Sequence, residues 1–126
     1  MQSKTIFLSL LLFVVIDLVF LYANNGIFAK QVIDVQRVTM IVKPLGLVMT
    51  YVVLCFAFWF LVLKEKRKVW EAALVGFIIY SVYEWTNYAI LKKWKLTTVA
   101  FDSLWGALLW GITAYLTYTF LIPMEK

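Results

Sequence analysis

The chain contains no histidine and a single cysteine, Cys55. Without imidazole it cannot supply histidine ligation of haem, a histidine-containing metal site, or a Ser-His or Cys-His nucleophile. A lone cysteine cannot form an intramolecular disulfide, and Cys55 lies within an apolar run, where it is typical of a small hydrophobic residue. The sequence also lacks metal-ligand spacing and a phosphate-binding glycine loop. We therefore predict neither a metal nor a cofactor.

Charged residues are also scarce. They make up 15% of the 126 residues, whereas hydrophobic residues make up 64%. A soluble domain averages about 25% charged and about 45–50% apolar residues, and no soluble fold of this length could bury so much apolar surface. The lipid bilayer is therefore the predicted partner. The net charge of +5 is typical of basic residues that border membrane spans and meet anionic lipid, and we predict no nucleic-acid partner.

Four apolar runs are each long enough to cross a bilayer, which takes about 20 residues. The predicted spans cover residues 5–23, 44–63, 69–91 and 99–122. Asp17 interrupts the first run, which favours an uncleaved helix over a cleaved signal peptide. Short loops join the last three spans, so neighbouring helices must be antiparallel. The sequence predicts an all-α fold, a four-helix transmembrane bundle forming one domain over residues 1–126.

Residues 24–43, between the first two spans, have a different pattern. Lys30, Asp34 and Arg37 recur at positions i, i+4 and i+7, and apolar residues occupy the other faces. This period predicts an amphipathic helix lying in the membrane interface. The alternative is an ordered loop that caps the bundle.

The charge distribution decides the orientation only weakly. Six basic residues fall on each predicted side of the membrane, so the positive-inside rule gives no preference. The compact basic turn at residues 64–68 and the free amino group favour cytoplasmic termini.

Apart from Glu71 in the first turn of the third span, where a carboxylate favours the helix dipole and can stay hydrated, three carboxyl side chains lie inside the predicted spans: Asp17, Glu84 and Asp102. The first two lie near the ends of their spans and the third near the start of its span, so all three fall within about 5–10 Å of one membrane face. Ionisable groups in hydrocarbon cost about 2.5–3.5 kcal/mol and normally face the bundle interior. We expect Glu84, with Asn87, to face inward toward the two aspartates, and the opposite half of the bundle to be dry. Basic side chains are expected at the opening of the polar half: Lys43, Lys92 and Lys93.

Small residues recur every fourth position on two of the predicted helices. Ala72 and Gly76 form such a stripe on the third helix, and Ser103, Ala107 and Gly111 form one on the fourth. This spacing allows helix backbones to approach closely. It predicts helix packing within one chain or between copies.

The second half of the chain, YEWTNYAILKKWKLTTVAFDSLWG at 83–106, resembles the family known as domain of unknown function 2177. Members typically carry an aspartate-leucine-threonine-asparagine stretch, then leucine-lysine-x-tryptophan, then aspartate-x-x-tryptophan-glycine. The matching residues here are 84–87, 91–94 and 102–106, with Glu84 in place of the usual aspartate. The resemblance implies a small four-helix membrane protein, found mainly in bacteria and also in large viruses of algae and protists, and it implies no activity.

The first helix extends this resemblance. IDLVFL around Asp17 is similar to the family's first-helix aspartate motif, with Phe20 where a tryptophan often stands. The resemblance implies that Asp17, Glu84, Asn87, Lys92, Asp102 and Trp105 act together. With the other polar side chains of the third span, the candidate ligand or ion site is Asp17, Tyr80, Glu84, Thr86, Asn87, Lys92, Asp102 and Trp105.

Three functions are compatible with these patterns. The first is binding or transport of a small polar molecule, an ion or a proton, and four helices are few for alternating access, so transport predicts an oligomer. The second is a structural or assembly subunit of a membrane complex, including a viral membrane component, in which hydrogen bonds and a carboxylate–lysine pair fix the packing. The third is an intramembrane lipid-modifying enzyme in which a carboxyl pair acts as acid and base. Of the three, the enzyme hypothesis is the least favoured, and we expect the protein not to be an enzyme.

Overall fold

A computed structural model describes residues 1–36 and 43–125, and those residues are helical with no strand. The α-helical segments Pro44–Phe58 and Leu96–Leu116 each continue into a π-helical turn, Trp59–Leu63 and Thr117–Leu121 respectively. The predicted all-α class is confirmed over the described part of the chain. The helices are α1 (Ser3–Ala23), α2 (Asn25–Gln36), α3 (Pro44–Phe58), α4 (Val69–Ile90) and α5 (Leu96–Leu116).

Three of these helices are long and apolar enough to cross a membrane: Ser3–Ala23, Pro44–Leu63 and Leu96–Leu121. They coincide with the first, second and fourth predicted spans to within a few residues. The third predicted span, 69–91, coincides with α4, which has 22 residues but is less apolar because it includes Glu71 and Glu84. The structure therefore confirms three apolar spans, and the four-helix transmembrane bundle stays a prediction.

The segment predicted to lie in the interface is helical over α2, from Asn25 to Gln36. Lys30, Ile27 and Ile33 are exposed, whereas Gln31 is buried. Arg37 and the rest of the predicted helix up to residue 42 lie outside the described residues. Pro44 occupies the first turn of α3, where the missing N–H of proline costs no helical hydrogen bond.

Buried residues on three helices follow a four-residue period, and most of them are small or polar. On α1 they are Thr5, Ser9, Phe13 and Asp17. On α4 they are Ala72, Gly76 and Glu84, and α5 continues the pattern with Asp102, Gly106, Trp110 and Thr113 among others. Large apolar side chains cover the outside, as expected where lipid solvates them as well as a protein core would.

Helices α4 and α5 make the closest helix contact of the described fold. A Cβ atom added at Gly76 would overlap the carbonyl oxygen of Gly106 and lie 2.5 Å from Cγ of Trp110. One added at Gly106 would lie 2.5 Å from Cγ of Tyr80. Glycine is required at both positions because the neighbouring atoms already occupy the space of a side chain.

Three fully buried aromatic side chains, Phe13, Phe58 and Trp110, pack one helical turn beyond Asp17. Their ring centroids are 5.1 to 5.7 Å apart. Beyond them the half of the bundle predicted to be dry carries hydroxyl groups, since Ser9 Oγ and Thr117 Oγ1 lie 2.6 Å apart. Thr117 also donates to the carbonyl oxygen of Thr113, and a hydroxyl satisfied by its own helix costs little to bury.

The two chain ends meet at the opposite end of the bundle from Asp17. The backbone N–H of Gln2 donates to Oε1 of Glu125 at 2.8 Å, and the side chain of Thr5 hydrogen-bonds to the same carboxylate. The Thr5 hydrogen bond is the main cause that lowers the pKa of Glu125. The start of α1 and the chain end that follows α5 thus lie on the same side.

The substitution Gly76→Ala tests the close contact. The added methyl group must push α4 away from Gly106 and Trp110, so we expect the free energy of unfolding to fall by about 1–3 kcal/mol. Thermal unfolding in one detergent measures this, with Gly46→Ala as the matched control. A Cβ at Gly46 meets nothing within 4 Å, so alanine there should be neutral or stabilising by up to about 1 kcal/mol. Equal effects of the two substitutions would contradict the close packing.

Candidate functional site

The carboxylate of Asp17 on α1 joins three helices. Its Oδ2 accepts a hydrogen bond from the hydroxyl of Tyr51 on α3 at 2.6 Å, and its Oδ1 accepts one from the indole Nε1 of Trp105 on α5 at 2.8 Å. Phe20 stacks on Trp105 at 4.0 Å between ring centroids, one turn after Asp17 on the same helix. The stack fixes the indole plane, so that the donor points at the carboxylate.

A second acidic group lies where α4 faces α5. The Glu84 and Asp102 side chains are 1% and 8% exposed and are hydrogen-bonding neighbours. Trp94, in the loop between the two helices, donates its indole N–H to Oε1 of Glu84 at 2.9 Å. A hydrogen bond between two carboxyl groups requires a proton on one of them, because two carboxylates offer only acceptors. Asp17 lies close enough to Asp102 to interact electrostatically.

No basic side chain within the described residues forms an ion pair with these acids. The ion pair found there joins Arg67 and Glu71 at 3.7 Å, at the start of α4. Lys43 and Lys92 are exposed. The carboxylate–lysine pair considered for a structural role is therefore absent from this part of the chain.

The other candidate site residues are divided between the interior and the surface. Tyr80 is half-buried against Gly106, and Asn87 is half-buried in the last turn of α4. Thr86 is exposed and donates to the carbonyl oxygen of Val82 at 2.6 Å, a bond that allows threonine to face lipid. The structure thus brings together Asp17, Tyr80, Glu84, Asp102 and Trp105, and it leaves Thr86 and Lys92 on the outside.

The residues proposed to pack helices lie mostly inside. Ala72, Gly76, Ser103 and Gly111 are buried, and Ala107 is half-buried. A Cβ added at Gly111 would lie 3.2 Å from that of Ala73. The atom nearest to a Cβ added at Gly76 is the carbonyl oxygen of Gly106. Gly106 is not one of the predicted packing residues of α5 and lies one helical turn after Asp102.

Sequence reasoning missed Gln31, which is 3% exposed and holds α2 against the α4–α5 loop. Its Nε2 donates to the carbonyl oxygen of Lys93 at 2.8 Å. Its Oε1 accepts from the backbone N–H of Lys95 at 3.2 Å and from the hydroxyl of Thr98 at 2.9 Å. The available signal was that Gln31 interrupts the apolar stripe of α2 formed by Phe28, Val32 and Val35.

Tyr51 and Trp94 were missed for a different reason. Each carries a single polar atom on an aromatic ring, which in a membrane sequence is equally typical of an interfacial anchor. Only their distance from a carboxylate, 2.6 Å for Tyr51 and 2.9 Å for Trp94, distinguishes the two roles.

A groove of about 620 Å³ opens at the surface beside the buried acids. It lies between the last turn of α4 and the first turn of α5, and Trp94 separates it from Glu84. A smaller groove of about 230 Å³ lies between α2 and the α4–α5 loop, where Asp34, Lys92 and Lys93 contribute to its lining. The larger groove is lined by Tyr88, Lys92, Trp94, Lys95, Leu96 and Thr97.

The apolar exterior, the buried polar stripes and the three apolar spans define a helical membrane protein. Residues 3–119 match the model of a family described as "Predicted membrane protein (DUF2177)", so the chain belongs to this family. The resemblance drawn from the sequence is thereby confirmed. The chain matches no curated protein and no solved structure. The family description states a membrane protein and no activity.

The substitution Asp17→Asn tests the three-helix junction. The indole of Trp105 can only donate, so it takes the single amide oxygen, and the Tyr51 hydroxyl must rotate to accept from the amide NH₂. Both bonds then lose the carboxylate as acceptor, and hydrogen bonds to a charged group are the stronger ones. We expect a loss of about 1–3 kcal/mol in the free energy of unfolding.

A double-mutant cycle with Tyr51→Phe separates the two bonds. Since Asp17→Asn and Tyr51→Phe affect the same hydrogen bond, their effects on thermal unfolding should sum to more than the effect of the double variant. Additive effects would contradict a direct bond between these side chains.

Proposed function

We propose that α4 also crosses the membrane, which makes the protein a four-helix bundle with both termini on one side. At about 1.5 Å per residue its 22 residues extend about 33 Å, enough for the hydrocarbon core. Neither of its glutamates requires contact with lipid. Glu84 is buried, and Glu71 lies in the first turn, where it accepts from the backbone N–H of Lys68 and pairs with Arg67. The termini are proposed to be cytoplasmic.

Single-cysteine labelling tests this topology. In a Cys55→Ser background, Lys4→Cys, Lys66→Cys and Lys93→Cys place thiols at exposed positions. A membrane-impermeant maleimide applied to sealed cells or inverted vesicles should label residues 4 and 66 from one side and residue 93 from the other. Labelling of residues 66 and 93 from the same side would show that α4 does not cross.

We further propose that the protein binds a proton at the Glu84–Asp102 pair, which is the site of its activity. The observation that carries this proposal is the burial of two neighbouring carboxyl groups, close enough to share a proton, without a basic partner among the described residues. Ionising both would place two negative charges side by side in a medium of low dielectric, so one proton is retained between them. No three His, Cys, Asp or Glu side chains of the described chain come together to hold a metal ion, which favours a proton over a metal ion.

The residues around the Glu84–Asp102 pair favour reversible binding of a proton from one membrane face. They do not favour conduction of protons through a single copy of the protein. Toward the opposite face the fully buried Phe13, Phe58 and Trp110 fill the interior directly beyond the acidic groups. Toward the near face the pair is covered by Trp94, a loop residue next to an open groove. Coupled transport would therefore need a second copy that completes a path, and we propose such an oligomer only for that case.

Infrared titration of the protein in nanodiscs tests the shared proton. The C=O stretch of a protonated carboxyl group is resolved from carboxylate bands and shifts in D₂O. We expect this band at neutral pH in the wild type, at a shifted frequency in each of Glu84→Gln and Asp102→Asn because the remaining buried acid has lost its carboxyl neighbour, and absent in the double variant. Glu71→Gln, which removes a surface glutamate of the same helix, is the matched control and should leave the band unchanged. A wild type without the band, or a band that is unchanged in Glu84→Gln or persists in the double variant, would contradict the proposal.

The second candidate function is structural, and the Asp17 junction favours it. Both oxygens of Asp17 are occupied by donors from other helices, so this carboxylate is built to hold α1, α3 and α5 together. In a structural or assembly subunit the Glu84–Asp102 pair would serve the same purpose. Glu84→Gln should then lower the unfolding temperature as much as Asp17→Asn does, without changing any proton uptake by the protein.

A further inference from the structure

Two exposed lysines and an uncapped helix end meet in the groove between α4 and α5. Lys92 and Lys95 line it, and neither forms an ion pair with any residue of the described segments. Lys95 precedes the first residue of α5, which has no side-chain cap at this end. The first N–H groups of a helix have no intrahelical partner and carry a partial positive charge. The polar part of the groove is therefore positive from both its side chains and its backbone.

The remaining lining is apolar and continues onto the outer surface of the helices. Leu96 and Tyr88 are exposed at its edge, and Trp94 forms a wall whose orientation is fixed by its bond to Glu84. A ligand that fits this groove has an anionic group for the lysines and an apolar portion that extends along the helices.

We propose that the groove binds one anionic phospholipid from the surrounding leaflet, with its phosphate between Lys92 and Lys95 and an acyl chain against Tyr88 and Leu96. A lipid matches the site better than free phosphate because the groove lies at the end of the apolar span Leu96–Leu121, at the level where headgroups begin. Thr97 adds a hydroxyl donor to the same lining. This site is separate from the Glu84–Asp102 pair and does not depend on its protonation.

The number of phosphatidylglycerol molecules that the protein retains on release from nanodiscs tests this site. The probe is wild-type protein in phosphatidylcholine nanodiscs containing a minor fraction of phosphatidylglycerol, released into the gas phase for native mass spectrometry. We expect one phosphatidylglycerol to be retained per chain in excess of its share of the bilayer. At about fivefold per lysine, Lys92→Gln combined with Lys95→Gln should weaken this preference roughly 30-fold.

The matched control removes the same charge from the opposite end of α4. Lys66→Gln with Lys68→Gln alters two exposed lysines of the basic turn and should leave the preference unchanged. If both double variants lost the preference for phosphatidylglycerol equally, the preference would depend on the net charge of the protein and not on this groove, and the proposed site would be overturned. A wild type that retains phosphatidylglycerol only in proportion to its abundance would also overturn it.

Two further measurements separate lipid binding from phosphate binding and from the acidic pair. Inorganic phosphate at millimolar concentration should not displace the retained lipid, and full displacement would mean that the groove recognises free phosphate instead. Glu84→Gln should keep the lipid preference because it leaves both lysines in place. If Glu84→Gln kept the preference but left the infrared band unchanged, the proton site alone would be contradicted, and the lipid site would stand.

Discussion

The contact between Gly76 and Gly106 sets the relation of α4 to α5, and the acidic site depends on it. The helices run antiparallel, so moving along α4 from Gly76 toward Glu84 corresponds to moving back along α5 from Gly106 toward Asp102. Because neither glycine has a Cβ atom, the two backbones approach closely. The side chain of Trp110 packs against Gly76, and that of Tyr80 packs against Gly106. At this separation the carboxyl groups of Glu84 and Asp102 lie next to each other, and no lysine of the described residues forms an ion pair with either. A wider spacing would leave Glu84 and Asp102 apart, and each would then need its own partner.

The chemistry of lipid explains why the interior can be so polar. In water, burial of apolar surface drives packing, but in a bilayer the lipid tails solvate leucine and valine as well as a protein interior does. What lipid cannot supply is a hydrogen-bond partner, so polar side chains gather where they satisfy each other. Thr5, Ser9 and Asp17 on α1 follow this rule, since each is buried and each is hydrogen-bonded to another helix or chain end.

This reasoning also explains how much of the fold followed from sequence. The run lengths predicted the ends of α1, α3 and α5 to within a few residues because helix length is dictated by bilayer thickness. The inward direction of Asp17, Glu84 and Asp102 followed from the cost of charge in hydrocarbon, and these side chains are buried. Composition alone does not settle the run at 69–91. Its mean hydropathy is lowered by polar residues that include Glu84, which faces α5, and Glu71, which lies at the start of α4.

The site itself was less predictable, because partners in three dimensions leave little trace in a single sequence. Tyr51 lies in a run of aliphatic and aromatic residues that gives no sign of Asp17, 34 positions earlier. The same holds for Gln31, whose partners lie more than 60 residues away, in the α4–α5 loop (Lys93 and Lys95) and in the first turn of α5 (Thr98). Helix periodicity indicates which face is buried, whereas the choice of partner depends on the rotation of each helix against its neighbours.

The buried acids are enclosed on two sides. The aromatic cluster of Phe13, Phe58 and Trp110 occupies the interior on one side of them, and Trp94 covers Glu84 on the other. Trp94 lies in the short loop between α4 and α5, and a single hydrogen bond joins it to the acid. Gln31 binds the backbone of that loop on both sides of Trp94, at Lys93 and at Lys95. Through these two bonds α2 holds the loop that places Trp94 over Glu84.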